Sequence, residues 1–212
     1  MIHLVSMFRS GHHAIAAFIA NGRHIADPVD PAIYMAGIEG EIALWPDQTP
    51  ESVESWIPCD DEVMIVLRDP ENLFASRIRA ADAGISPPVD WPYDLILNNS
   101  RTSRSLTADI WQTQYDWAIA HPKQTIVFPL WHADESYSRS IASGLGIPFN
   151  AGARDRVAHD GGGSSFDGLA YDGRARQQPV NDRWRLMQHD IRWQQMVSMV
   201  RVHDRSIFET WS

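Results

Sequence analysis

The chain is short of several residues on which functional readings usually rest. Cysteine occurs once, at Cys59. No disulfide can form within the chain, and no cysteine-rich metal site can be built. A lone cysteine fits a reducing compartment. Lysine also occurs once, at Lys123, so apart from histidine every other basic side chain is arginine. Basic residues are in deficit, 18 Lys and Arg against 27 Asp and Glu, for a net charge of −9. A protein that tracks a nucleic-acid backbone carries a basic surplus, so no nucleic-acid partner is expected. A pocket for one small anion does not depend on the overall sign. No run of about 18 apolar residues occurs, so no membrane span is expected. The polar stretch "FRSGHH" interrupts the first apolar run, which is therefore not read as a secretory signal. A cytoplasmic location is the expectation. His121, His132, His159, His189 and His203 lack metal-ligand spacing, and no metal is expected. The triphosphate loop G-x-x-x-x-G-K-[ST] is missing too, so hydrolysis of ATP or GTP is not indicated.

What is present is a good core. Hydrophobic residues make up 44% of the chain, with nine tryptophans and seven phenylalanines. That suffices for a single domain spanning residues 1–212. Short apolar runs at "IHLVSM" (2–7), "EVMIVL" (62–67) and "TIVFPL" (125–130) have the composition of buried strands. Each precedes a predicted helix, over 11–21, 70–82 and 135–145. Repeated strand-then-helix order predicts an α/β fold with a central parallel sheet flanked by helices. Ligands of such sheets lie at the carboxyl ends of the strands. The Pro- and Gly-rich stretches 26–40, 45–58 and 85–92 read as loops with short elements. A longer helix is predicted over 103–120, a Gly-rich loop over 159–173, and an amphipathic helical tail from about 181.

Two segments carry chemistry. In "FRSGHHAI" a turn joins the first strand to a helix N-terminus, where unpaired N–H groups and the helix dipole favour an anion. Arg9 adds a full charge, and Gly11 permits close backbone approach. In "VLRDPENLFASR" a buried strand ends in Arg68, and Asp69-Pro70 opens a helix. Ser76 falls on the second turn of that helix. If strand end and helix pack side by side, the Arg68 fork and the Ser76 hydroxyl reach one small anion.

Together these segments resemble the sulfotransferases that use 3′-phosphoadenosine 5′-phosphosulfate (PAPS). "FRSGHHAI" is similar to their 5′-phosphosulfate loop, usually Pro-Lys-Ser-Gly-Thr-Thr, and "VLRDPENLFAS" to their 3′-phosphate motif. "VFPLWHADES" resembles the later strand ending in an aromatic residue near adenine, and "SSF" (164–166) the Thr-Ser-Phe segment that touches adenine. "VNDRW" (180–184) is similar to the C-terminal loop whose basic residue returns to the 3′-phosphate. The resemblance implies a three-layer P-loop-type fold. It also implies a nucleotide held by Arg9, Ser10, Gly11, His12, His13, Ala14, Arg68, Ser76, Trp131, Ser165, Phe166 and Arg183. Arg9 replaces the family's lysine, His12 and His13 replace hydroxyl residues, and Ala14 replaces an aromatic.

The implied activity is transfer of a sulfuryl group from PAPS to a hydroxyl or amine of a small-molecule or glycan acceptor, without a metal. Arg9 would stabilise charge on the departing phosphate oxygen. Glu39, Glu41, His12 and His13 are the candidates for accepting the acceptor's proton. A small-molecule kinase of P-loop type, and a non-catalytic nucleotide-binding protein of the same fold, remain the competing readings. Neither the acceptor nor the oligomeric state is written in the sequence.

Overall fold

Apolar residues fill both faces of the strands, and this decides the layering. A computed structural model describes residues 2–7, 9–20, 42–55, 57–58, 60–84, 101–157, 164 and 166–209. Within them, β1 (Ile2–Ser6), β2 (Ile42–Pro46), β3 (Glu62–Leu67) and β4 (Thr125–Val127) form an all-parallel sheet in the order β2-β1-β3-β4. Register runs from Ile2 opposite Ile42 and Glu62 to Ser6 opposite Pro46 and Val66. Successive side chains of a strand face opposite ways. Leu4, Met64 and Val66 therefore join one core, and Val5, Val63, Ile65 and Leu67 join another.

The first core packs against α1 (His12–Ile19), α5 (Phe128–Ala133) and α6 (Glu135–Gly144), through Ile15, Phe18, Trp131 and Tyr137. The second packs against α3 (Pro70–Asp82), α4 (Arg101–Ala120) and α7 (Ile191–Met199), through Leu73, Phe74, Trp111, Tyr115 and Met196. The result is a three-layer α/β architecture. No described helix is long and apolar enough to cross a membrane.

Helix starts follow local chemistry. Asp69 accepts a hydrogen bond from the Asn72 amide at 2.9 Å, and Pro70 occupies the first turn of α3. Asp134 caps α6 by accepting from the Ser136 and Tyr137 amides. Asp190 caps α7 by accepting from the Arg192 amide at 2.8 Å.

Three sequence expectations are corrected. Strand β2 was not among the expected strands; it runs into the 45–58 stretch, whose short elements include the helix α2 (Pro50–Glu54). Pro46 is tolerated there because β2 is an edge strand. The third expected strand stops at Val127, since Pro129 sits in the first turn of α5. The tail from 181 is not one helix: a 3-10 turn over Arg183–Leu186 precedes α7, which begins only after the Asp190 cap. The 26–40 and 85–92 stretches lie outside the described residues.

At the end of β2, Asp47 adopts a left-handed φ of 54°. Its amide donates to the Ser6 carbonyl at 2.6 Å, and its carboxylate pairs with Arg77 of α3 at 2.7 Å. The two side chains are 1% and 5% exposed, so neither charge can turn to water. Asp47→Ala should therefore lower the unfolding free energy by about 3–5 kcal/mol, because it removes a buried carboxylate that Arg77 pairs with. Urea denaturation measures this, and a loss under about 1 kcal/mol would show that the pair behaves as a surface bridge.

Candidate functional site

The sheet order locates the site before any side chain is considered. From β1 the chain passes to β2 on one side, whereas from β3 it passes to β4 on the other. The carboxyl ends of β1 and β3 thus flank a topological switch point, where open α/β sheets bind ligands. Both sequence motifs converge there. Met7 and residues 9–11 follow β1, and Arg68 leaves β3 alongside them.

The loop after β1 is tightly wound. The Ser10 amide donates to the Met7 carbonyl at 3.0 Å. Arg9 has φ 70° and Gly11 φ 94°, both left-handed. For Arg9 this conformation is uncommon, and Arg68 secures it by donating from Nη1 to the Arg9 carbonyl at 2.7 Å. Gly11 is the N-cap of α1, which has no side-chain cap. A Cβ on Gly11 would lie 2.2 Å from the Phe128 ring, so glycine is required for space as well as for φ.

Arg68 is 3% exposed. Besides the Arg9 carbonyl, it donates from Nη2 to the Val180 carbonyl at 2.9 Å and from Nη1 to Ser76 Oγ at 3.4 Å. Its Nε is buried with no hydrogen-bond partner among the described residues. Its Cζ lies 5.3 Å from the Phe128 ring centroid. Burial pushes the guanidinium down to about 9, against the opposing pull of Asp69, so it stays charged at neutral pH. Among the described residues none of its hydrogen-bond partners is a carboxylate. A buried cation held only by neutral oxygens favours an arriving anion.

The segment 180–184 is sewn to the same place. Asn72 Nδ2 donates to the Asn181 carbonyl at 2.9 Å, and the Trp184 amide donates to Asn72 Oδ1 at 3.1 Å. This fixes Arg183, whose side chain is 6% exposed and whose charge further lowers the Arg68 value. Arg183 Nη2 donates to Ser164 Oγ and to Asp167 Oδ2, each at 2.7 Å, and its Cζ lies 5.3 Å from the Phe166 centroid.

Arg68 therefore ties the loop of Arg9, Ser10, Gly11, His12, His13 and Ala14 to Ser76, and Arg183, with Phe166 against it, lies close enough to act on the Arg68 charge. Trp131 does not join them. It is 2% exposed, edge-on to Phe18 and stacked with Phe128, in the core beneath α5. The ring at the strand end is Phe128, because the strand ends at Val127. Asn72, Asp167 and the Val180 carbonyl were also missed; their partners lie far away in the chain, and no local pattern marks them. Ser165, Glu39 and Glu41 lie outside the described residues.

The two histidines separate. His12 is 3% exposed, with Nδ1 3.4 Å from Ser10 Oγ, while His13 is half-buried with its ring centroid 4.3 Å from that of His12. Burial, then the His13 and Arg9 charges, hold His12 well below the ordinary imidazole range, so it is neutral at pH 7. Lying under the loop, it is placed to orient the loop. Among the described residues no group of three or more His, Cys, Asp or Glu is arranged to hold a metal ion.

Compared with protein-family models, with curated proteins and with solved structures, the chain matches none.

Two outcomes follow from this geometry. Gly11→Ala should cost about 2–5 kcal/mol from backbone strain plus overpacking. In a double-mutant cycle with Phe128→Ala the losses should be markedly less than additive; strict additivity would remove the ring contact as the cause. His12 is neutral when folded but binds a proton near pH 6.5 when unfolded, so the unfolded chain holds more protons below that pH. Stability is thus fully present above pH 6.5 and falls as pH drops below it, by at most about 1.4 kcal/mol per unit from this group. His132, also lowered chiefly by burial, acts in the same direction. His12→Gln should flatten the slope between about pH 6.5 and 5; an unchanged slope would show that other groups carry it.

Proposed function

We propose that the chain is a PAPS-dependent sulfotransferase acting on a hydroxyl or amine of a small-molecule or glycan acceptor. One observation carries the reading: Arg68, within reach of Ser76, donates directly to the Arg9 carbonyl of the loop after β1. Two anion-seeking segments thus form one site at the switch point. The residues present suit a nucleotide with two separate phosphates. A helix N-terminus with glycine pressed to the limit offers one seat, and a buried guanidinium with an unpartnered Nε offers the other.

In this reading Arg68, Ser76 and Arg183 would hold the 3′-phosphate. Ser10, Gly11 and the two histidines would hold the 5′-phosphate. Bound PAPS would supply an activated sulfuryl group on that phosphate. Arg9 would neutralise charge building on the phosphate oxygen, from the mouth of the loop. Its planar fork would do this with a different geometry from an ammonium. Neutral His12 would set the loop's shape. The first turn of α1 leaves His13 as its more accessible imidazole.

The 3′-phosphate separates this reading from ATP-using alternatives. In a thermal-shift series, 3′-phosphoadenosine 5′-phosphate should raise Tm well above AMP or ATP. At about 100 times its Kd the gain should be about 2.7 kcal/mol, or roughly 5–10 °C for a chain of this size. Arg68→Lys, which keeps the charge but loses the fork, should shrink the bisphosphate's advantage over AMP while leaving AMP nearly unchanged. If the bisphosphate stabilises no better than AMP, the reading fails.

A further inference from the structure

Arg183, which would join Arg68 in meeting an incoming 3′-phosphate, already holds an anion of this chain. Ser164 and Gly168 exchange backbone hydrogen bonds at 3.0 and 2.8 Å, bringing the two ends of a tight turn together. The Phe166 and Asp167 amides both donate to Ser164 Oγ at 3.2 Å, and that hydroxyl sits 3.2 Å from Asp167 Oδ2. The turn thereby aims the Asp167 carboxylate at Arg183. The opposite side is equally fixed, because the 180–184 segment is bound to Arg68 and Asn72.

The contact blocks more than one hydrogen. A guanidinium grips a phosphate with two prongs, either end-on through Nη1 and Nη2 or side-on through Nε and Nη2. Both edges include Nη2. Its two hydrogens are engaged by Ser164 Oγ and Asp167 Oδ2, each at 2.7 Å. Arg183 Nε is buried and has no hydrogen-bond partner among the described residues, so the side-on edge is half made. A doubly charged phosphate at that edge would also face the Asp167 carboxylate, a like charge at close range.

We propose that Asp167 is an internal occupant of the anion site: its carboxylate takes the Arg183 fork that a 3′-phosphate would take, so ion pair and ligand exclude one another. This rests on the functional reading above. Asp167 then sets affinity for the bisphosphate nucleotide, and it leaves alone any ligand that does not reach Arg183. The side chain is 21% exposed, so on displacement the carboxylate can turn into water.

The test is a calorimetric titration with 3′-phosphoadenosine 5′-phosphate and with AMP, at one ionic strength, on wild type, Asp167→Asn, Arg183→Gln and the double variant. Asp167→Asn should bind the bisphosphate about tenfold more tightly, and AMP within about twofold of wild type. The gain should vanish in the double variant. If Asp167→Asn binds the bisphosphate equally or less tightly, Asp167 positions Arg183 and the inference is overturned while the functional reading stands. If wild type does not prefer the bisphosphate to AMP, both fall. Asp167→Ser, titrated in the same way, decides the matter if the asparagine variant does not fold.

Discussion

A single buried guanidinium holds the candidate site together. Arg68 leaves the end of β3 and reaches the Arg9 carbonyl in one loop, the Ser76 hydroxyl on α3 and the Val180 carbonyl in a third segment. The Trp111 indole donates to the Arg68 carbonyl at 3.0 Å and pins the backbone from the far face of the sheet. Burying a cation in this way is unfavourable in itself. What it secures is relative position: three segments distant in sequence cannot drift apart without leaving the charge unsatisfied. The hydrogens that organise the site are also those an anion would seek, so framework and recognition are not separable there.

Arginine's shape explains why a chain with one lysine can be built like this. A guanidinium can serve several carbonyls at once in fixed directions, which an ammonium on a flexible stem does poorly. Arg68 does so at the switch point. Arg154, 2% exposed, does so at the end of α5, donating from Nη2 to the Trp131 and His132 carbonyls. These are terminal carbonyls of a short helix, where a cation also suits the dipole. Near the surface the same residue type forms clips, as when Arg192 joins Asp82 of α3 to the Asp190 cap of α7. Net charge conceals this arrangement, because the acids dominate the total while Arg9, Arg68 and Arg183 gather at one end of the sheet.

Some of this was legible in the sequence. The bounds of β3 and α3 were read correctly because an apolar run gives way to Asp-Pro, a local signal at both levels. The meeting of Arg68 with Ser76 was legible for the same reason, since a strand and the helix that follows it leave few placements. β2 was not, because an edge strand ending in proline looks like a loop until the sheet gives it a partner. Trp131 was expected at the ligand and lies in the core, since Pro129 starts a helix that carries the ring inward. Asn72, Phe128 and Asp167 owe their roles to partners brought near only by folding. No spacing rule reports such contacts.

The position of β1 has a kinetic consequence. It precedes the other described strands, yet it lies inside the sheet, paired with β2 on one side and β3 on the other. Ile2 must wait for Glu62 before that second ladder can form. Contacts so distant along the chain slow folding, because loop-closure entropy must be overcome before they stabilise anything. During synthesis one edge of β1 therefore stays unpaired until β3 has emerged. The loop immediately after β1 acquires its Arg68 support only when β3 arrives.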